Sequence, residues 1–186
     1  NAKTIGMAVF ASATALETVK LDSVETLIVS AQDQQFYACS NLKNVSMNSL
    51  KVVGNASFDG CTSLKQVYFP SLTRVGGNGF VNSGLETARF PVLSSIGANA
   101  FRPSKLATLI LEGSAMVTLD NISAFTNTPI ADGTGYIYVP QSLIEEYKVA
   151  TNWVTYANQF RAIEDYPEIC GGAECLKLLK KPHPAS

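Results

Sequence analysis

The side chains that most often do chemistry are scarce in this chain, and their spacing argues against catalysis. One histidine, His183, stands between two prolines near the C-terminus, so the body of the chain has no imidazole to activate a Ser or Cys nucleophile. Four cysteines fall into two groups. Cys170 and Cys175 bracket Gly171-Gly172-Ala173-Glu174. In an oxidising compartment they would close a small disulfide loop whose glycines permit a tight turn; the alternative is an unstructured junction. Cys39 and Cys61 each lie three residues after a phenylalanine, Phe36 and Phe58, and Ser83 and Ser104 stand at the matching places after Phe80 and Phe101. That recurrence reads as a buried column of small side chains, with free thiols packing as small hydrophobes. A zinc site would need two further ligands, and none is near.

Other candidates dissolve in the same way. Gly76-Gly77-Asn78-Gly79 has the look of a phosphate loop, but Gly97-Ala98-Asn99-Ala100 repeats it in register, which marks turn chemistry. The carboxylate pair Glu145-Glu146 belongs to a segment expected to be helical and to face water. Asn44-Val45-Ser46, Asn55-Ala56-Ser57 and Asn121-Ile122-Ser123 match the glycosylation sequon and are read as coincidences of a Ser/Asn-rich repeat. No enzyme activity, cofactor or metal is expected.

Composition narrows the classes further. The 186 residues carry 14 basic and 15 acidic side chains, for a net charge of -1. Charged residues make up 16%, against about 25% in typical domains. The basic footprint of a nucleic-acid binder is missing. No apolar run reaches the roughly 18 residues of a membrane span.

What must position these residues is a repeat. Leu64-x-x-Val67-x-Phe69-Pro70-x-Leu72-x-x-Val75-Gly76, then Phe80, is one unit; Leu85, Ala88, Phe90, Pro91, Leu93, Ile96, Gly97 and Phe101 restate it. Leading leucines Leu16, Leu42, Leu64, Leu85 and Leu106 are 26, 22, 21 and 21 residues apart. Val67 and Phe69 alternate with Tyr68, the period of a half-buried strand. Pro70 ends the ladder because it has no N–H to donate. No unit can bury its apolar face alone, so units must stack and share a core. The reading is a solenoid with one strand per rung, forming one parallel sheet, and with Phe58, Phe80 and Phe101 as one buried column.

The pattern Leu-x-x-Val-x-Phe-Pro-x-Leu-x-x-Val-Gly-x-x-x-Phe resembles the BspA-like, or treponemal-type, leucine-rich repeats of bacterial surface proteins, over about residues 4 to 166. The segment from Gly135 to Lys148 and its continuation from Ala150 to Ala157 look like that family's closing unit. The resemblance implies a β-rich α/β solenoid, a right-handed leucine-rich-repeat superhelix with one parallel-sheet face and a C-terminal helical cap. It also implies an extracellular or cell-surface location and a role in adhesion or protein recognition. On this reading residues 1–166 form the repeat domain, with about five rungs and a closing unit and cap at 136–166. Residues 167–186 form a Cys-containing tail or junction. Ile5-Gly6-Met7-Ala8-Val9-Phe10 matches Ile96-Gly97-Ala98-Asn99-Ala100-Phe101, so the chain is expected to begin mid-repeat and to self-associate weakly through an uncapped N-terminal rung.

The strand face is then the candidate functional surface. Residues flanking the central apolar position of each strand point outward. Toward the C-terminal half they become aromatic, with one cation and an exposed isoleucine: Gln66, Tyr68, Arg89, Ile110, Tyr136 and Tyr138. Tyr and Arg dominate protein-binding hot spots. The expected partner is a protein or glycan on another cell or in a matrix, with no nucleic acid and no membrane span. The alternative is a structural spacer, or stalk, of a larger surface or phage protein with no ligand of its own; on that view Tyr and Thr are there as good strand formers.

Overall fold

A computed structural model describes residues 2–27 and 33–170. Its strands, numbered in chain order, form two parallel ladders. The first-strand ladder comprises β2 (Thr18–Lys20), β4 (Asn44–Ser46), β6 (Gln66–Tyr68), β8 (Thr87–Phe90), β10 (Thr108–Leu111), β12 (Tyr136–Val139) and β13 (Phe160–Ala162). The second comprises β1 (Thr4–Ile5), β3 (Thr26–Leu27), β5 (Val52–Val53), β7 (Arg74–Val75), β9 (Ser95–Ile96) and β11 (Thr118–Leu119). Except between β4 and β6, strands pair with their equivalents in the adjacent unit, so Gln66, Val67 and Tyr68 sit beside Thr87, Ala88 and Arg89. Those in turn neighbour Thr108, Leu109 and Ile110.

The second ladder corrects the expectation of one strand per unit. Its strands are two residues long and bury one side chain each, such as Val75 or Ile96. A two-residue strand leaves no room for a period-two alternation to show. The first ladder also differs from a continuous sheet. The order β13-β12-β10-β8-β6 forms one sheet and β2-β4 another, while the second ladder runs unbroken from β1 to β11.

Stacked rings run through the core. Phe10, Phe36, Phe58, Phe80, Phe101 and Phe125 succeed one another at centroid spacings of 5.2 to 5.6 Å, within 6° of parallel. Backbone geometry at two flanking positions sets this register. Two residues before the ring, Ala8, Gln34, Ala56, Asn78 and Asn99 all hold φ between 46° and 58°. Two residues after it, Ser12, Ala38, Gly60, Asn82 and Asn127 are also left-handed. Between these kinks, amides of one unit donate to carbonyls of the next: Phe36 to Ser57 at 2.8 Å, Phe58 to Gly79 at 2.9 Å, Phe80 to Ala100 at 2.7 Å. All bonds of this turn row point the same way. At its N-terminal end the matching carbonyls, those of Met7, Val9 and Ala11, accept from no described residue.

Glycine closes the units where backbones touch. A Cβ on Gly97 would lie 2.7 Å from the Gly77 nitrogen, and one on Gly84 would lie 2.0 Å from the Thr62 carbonyl oxygen. Cys39 and Cys61 are fully buried free thiols. Each donates to the phenylalanine carbonyl one unit earlier, Phe10 at 3.0 Å and Phe36 at 3.2 Å. Burial pushes the Cys61 thiol far above its ordinary range, so it stays protonated and unreactive.

After β12 the chain changes character. A single 3-10 turn, Gln141–Leu143, leads into α1 (Ile144–Val149), which buries Ile144 and Tyr147 while Glu145 and Glu146 face water. The side chains that follow meet the open edge of β11. Tyr147 accepts from the Val117 amide at 2.8 Å, and the Trp153 indole donates to the Val117 carbonyl at 2.6 Å. Asn152 donates to the Leu119 carbonyl and Tyr156 to that of Ile122, both at 2.6 Å. Trp153 and Tyr156 also lie against Phe125, the last ring of the column. An edge strand with unpaired backbone groups is thereby satisfied by side chains.

Candidate functional site

Two rows of side chains project from the first-strand ladder, set by the pleat of each strand. Strand register places Gln66, Thr87, Thr108 and Tyr136 in one row, and Tyr68, Arg89, Ile110, Tyr138 and Arg161 in the other. All the residues anticipated as a patch are therefore neighbours in these rows. Their exposure is not uniform.

Tyr68 is 46% exposed and Tyr136 is 37% exposed, whereas Ile110 is 1% and Tyr138 8% exposed. The expectation that Ile110 and Tyr138 belong to an open surface is overturned. Beyond β13 the chain returns across the strand face in two 3-10 turns, Ile163–Asp165 and Pro167–Cys170. Ile163 is fully buried against Ile110 and Tyr138, with Tyr166 and Ile169 packed around them. Tyr166 meets the Tyr138 ring edge-on at 5.3 Å. The signal was present in the sequence: Ile163, Tyr166 and Ile169 recur every third residue, the spacing that aligns side chains on a 3-10 turn. Desolvation by this cover raises the Tyr138 phenol above its ordinary pKa. The proposed Cys170–Cys175 disulfide lies outside the described residues.

The open part of the face is held rigidly. The Arg89 guanidinium stands 4.7 Å from the Tyr68 ring centre, and its Nε donates to a Glu112 carboxylate that is 9% exposed. A second pair repeats the device, with Arg161 4.3 Å from the Tyr136 ring. Such cation–π contacts fix a ring's orientation at modest energetic gain. On the N-terminal side, Lys43 pairs with Glu17 at 3.1 Å, and Ser46 donates to Asp22 at 2.5 Å. The serine hydroxyl holds Asp22 below the usual carboxylate range. These strands together border a groove of about 550 Å³ that runs from β2 to β10 and ends at Ile169.

No histidine among the described residues stands beside a Ser or Cys to activate it. Among the described residues no cluster of three or more His, Cys, Asp or Glu side chains is placed to hold a metal. No helix among them is long and apolar enough to cross a membrane. What the geometry offers is a stiff, repeating surface of hydroxyl, amide, aromatic and cationic groups.

A family model, the BspA type leucine-rich repeat region, matches this chain in six copies over residues 1–108 and 29–143. The chain belongs to that family. Its BspA-type units are those seen above, each giving one strand to either ladder and one ring to the column. No curated protein matches the chain.

Proposed function

We propose that this BspA-type chain is a non-enzymatic, adhesin-like binding module, secreted or held at a cell surface, that recognises a protein or glycan through its strand face. Its two ladders are taken as faces of a right-handed solenoid, the hand that parallel strand crossovers almost always adopt. On this reading residues 1–166 are the repeat domain and 136–166 its closing unit and C-terminal cap. The N-terminal rung, where Met7 and Val9 are exposed, is the place for weak self-association.

One observation carries the proposal: Tyr68 is half exposed yet its ring is covered by the Arg89 guanidinium, itself anchored on a nearly buried carboxylate. A preordered aromatic–cation pair on a stiff sheet loses little side-chain freedom on binding, and these residue types supply hot spots. The working surface is Gln66, Tyr68, Arg89 and Tyr136, without the covered Ile110 and Tyr138.

Replacing Gln66, Tyr68 and Tyr136 together by alanine is expected to lower binding to cells or immobilised matrix at least tenfold, with an unchanged melting temperature. Arg89 is left in place so that Glu112 keeps its partner. The matched control, Lys51, Thr73 and Ser94 to alanine, lies beside the second ladder and should retain binding. Equal loss from both sets, or no binding by the parent chain, would favour a spacer without a ligand.

A further inference from the structure

The break in the first-strand ladder falls inside the groove. Where strands do pair, the amides at the strand start donate to the preceding unit: Lys43 and Asn44 to the Glu17 carbonyl, Glu86 and Thr87 to that of Lys65. Between β4 and β6 this step is missing. The amides of Lys65 and Gln66 reach no described acceptor across the seam, and the Lys43 carbonyl accepts from neither. Backbone groups left without a partner are costly unless water or a ligand meets them. The seam is open to solvent, so hydroxyl groups can take that place.

Side chains around the seam have a consistent chemistry. Asn44, Ser46, Asn48 and Gln66 line it, and with Lys20, Lys43 and Arg89 the lining holds three cations and no carboxylate, in a chain whose net charge is -1. Carboxylates do stand near them. Glu17 bridges Lys43, Asp22 lies close to Lys20 and accepts from the Ser46 hydroxyl and the Asn48 backbone amide, and Glu112 bonds Arg89. The Lys43–Glu17 pair is more than half exposed on both sides, and such a pair is weak enough for another anion to displace. Lys20 makes no ion pair with any described residue. The apolar anchor that a protein partner would seek, Ile110 with Tyr138, is already covered by Ile163, Tyr166 and Ile169.

From this we infer that the groove takes a linear acidic polysaccharide, a sugar chain bearing carboxylate or sulfate groups. Its hydroxyls bond the unpaired edges of β4 and β6 and the amides of Asn44, Asn48 and Gln66. Its anionic groups meet Lys20, Lys43 and the free N–H groups of Arg89. The Tyr68 ring flanks the chain. The paired strands on either side of the seam stand about 4.8 Å apart and carry one polar pair of side chains per unit, a spacing close to that of successive pyranose rings. This inference rests on the strand-face reading above and narrows its ligand.

Affinity electrophoresis of the full chain tests it, in gels holding alginate (carboxylate), dextran sulfate (sulfate), neutral dextran or polyglutamate. Retardation is expected with alginate, dextran sulfate or both, and their comparison identifies the anionic group. Dextran should retard nothing, and polyglutamate at least tenfold less at equal charge. Lys20→Gln with Lys43→Gln should weaken retention at least tenfold, and Asn44→Ala with Gln66→Ala should weaken it at constant charge. Arg74→Gln with Lys148→Gln removes the same charge elsewhere and should leave retention unchanged. Equal retention by polyglutamate, or equal loss from the distant pair, would reduce the effect to net charge and overturn the inference. No retention in any gel, while cell or matrix binding still depends on Tyr68, would overturn it and leave the strand-face reading standing. Failure of both assays would remove both.

Discussion

Ser83 shows how a repeat position tolerates an imperfect residue. It occupies the column of Cys39 and Cys61, is 6% exposed, and its hydroxyl has no partner. A buried unpaired hydroxyl costs about 1–3 kcal/mol. Ser83→Ala is therefore expected to raise the melting temperature, and Ser83→Cys to do so while restoring the thiol seen in the neighbouring units. Unchanged or lowered stability in both would mean that the hydroxyl is satisfied after all. At the ring column the expectation is opposite. Phe80 is fully buried and stacked between Phe58 and Phe101, so Phe80→Ala should cost about 3–5 kcal/mol in denaturant titration. That column was legible from sequence because one large side chain recurs at one place. The left-handed positions flanking it were less so. Ala8, Ala38 and Ala56 hold φ from 54° to 56°, a conformation that alanine does not advertise; Asn78, Asn82, Asn99, Asn127 and Gly60 carry the expected residue types.

Elements, rather than single residues, decide what happens at β11. Its flank is stitched by Tyr147, Asn152 and Trp153, which come from 30 to 36 residues further along the chain. Sequence pattern gives the helical segment around Glu145-Glu146 but not these bonds, since the spacing of side chains says nothing about which carbonyl they reach. Tyr147→Phe leaves the buried Val117 amide unpaired and should cost about 1–3 kcal/mol near neutral pH. Burial also pushes the Tyr147 phenol up to about 12, against roughly 10 when unfolded. Below pH 10 neither state ionises and stability is flat. As pH climbs from 10 toward 12 the unfolded chain alone loses its proton, so stability falls. Alkaline unfolding followed by tryptophan fluorescence should therefore show a drop in that window that is smaller in Tyr147→Phe. The covering turns after β13 were missed for a related reason. Their three-residue spacing spans only two turns, too short to stand out beside a repeat that fills most of the chain.

Over the whole molecule, order should grade along the stack. Each unit touches mainly its neighbours, so protection from hydrogen exchange should be slowest to be lost around β6 to β10 and quickest over residues 2–15. Uniform protection from residue 2 onward would show that the first unit is as firmly held as the rest. One further consequence lies in the turn row, where every amide hydrogen bond runs from one unit to the next in the same sense. Such a row is a vector. Among the described residues its acceptor pole is the set of carbonyl oxygens of Met7, Val9 and Ala11. A segment presenting three evenly spaced amides would extend the row in the same sense.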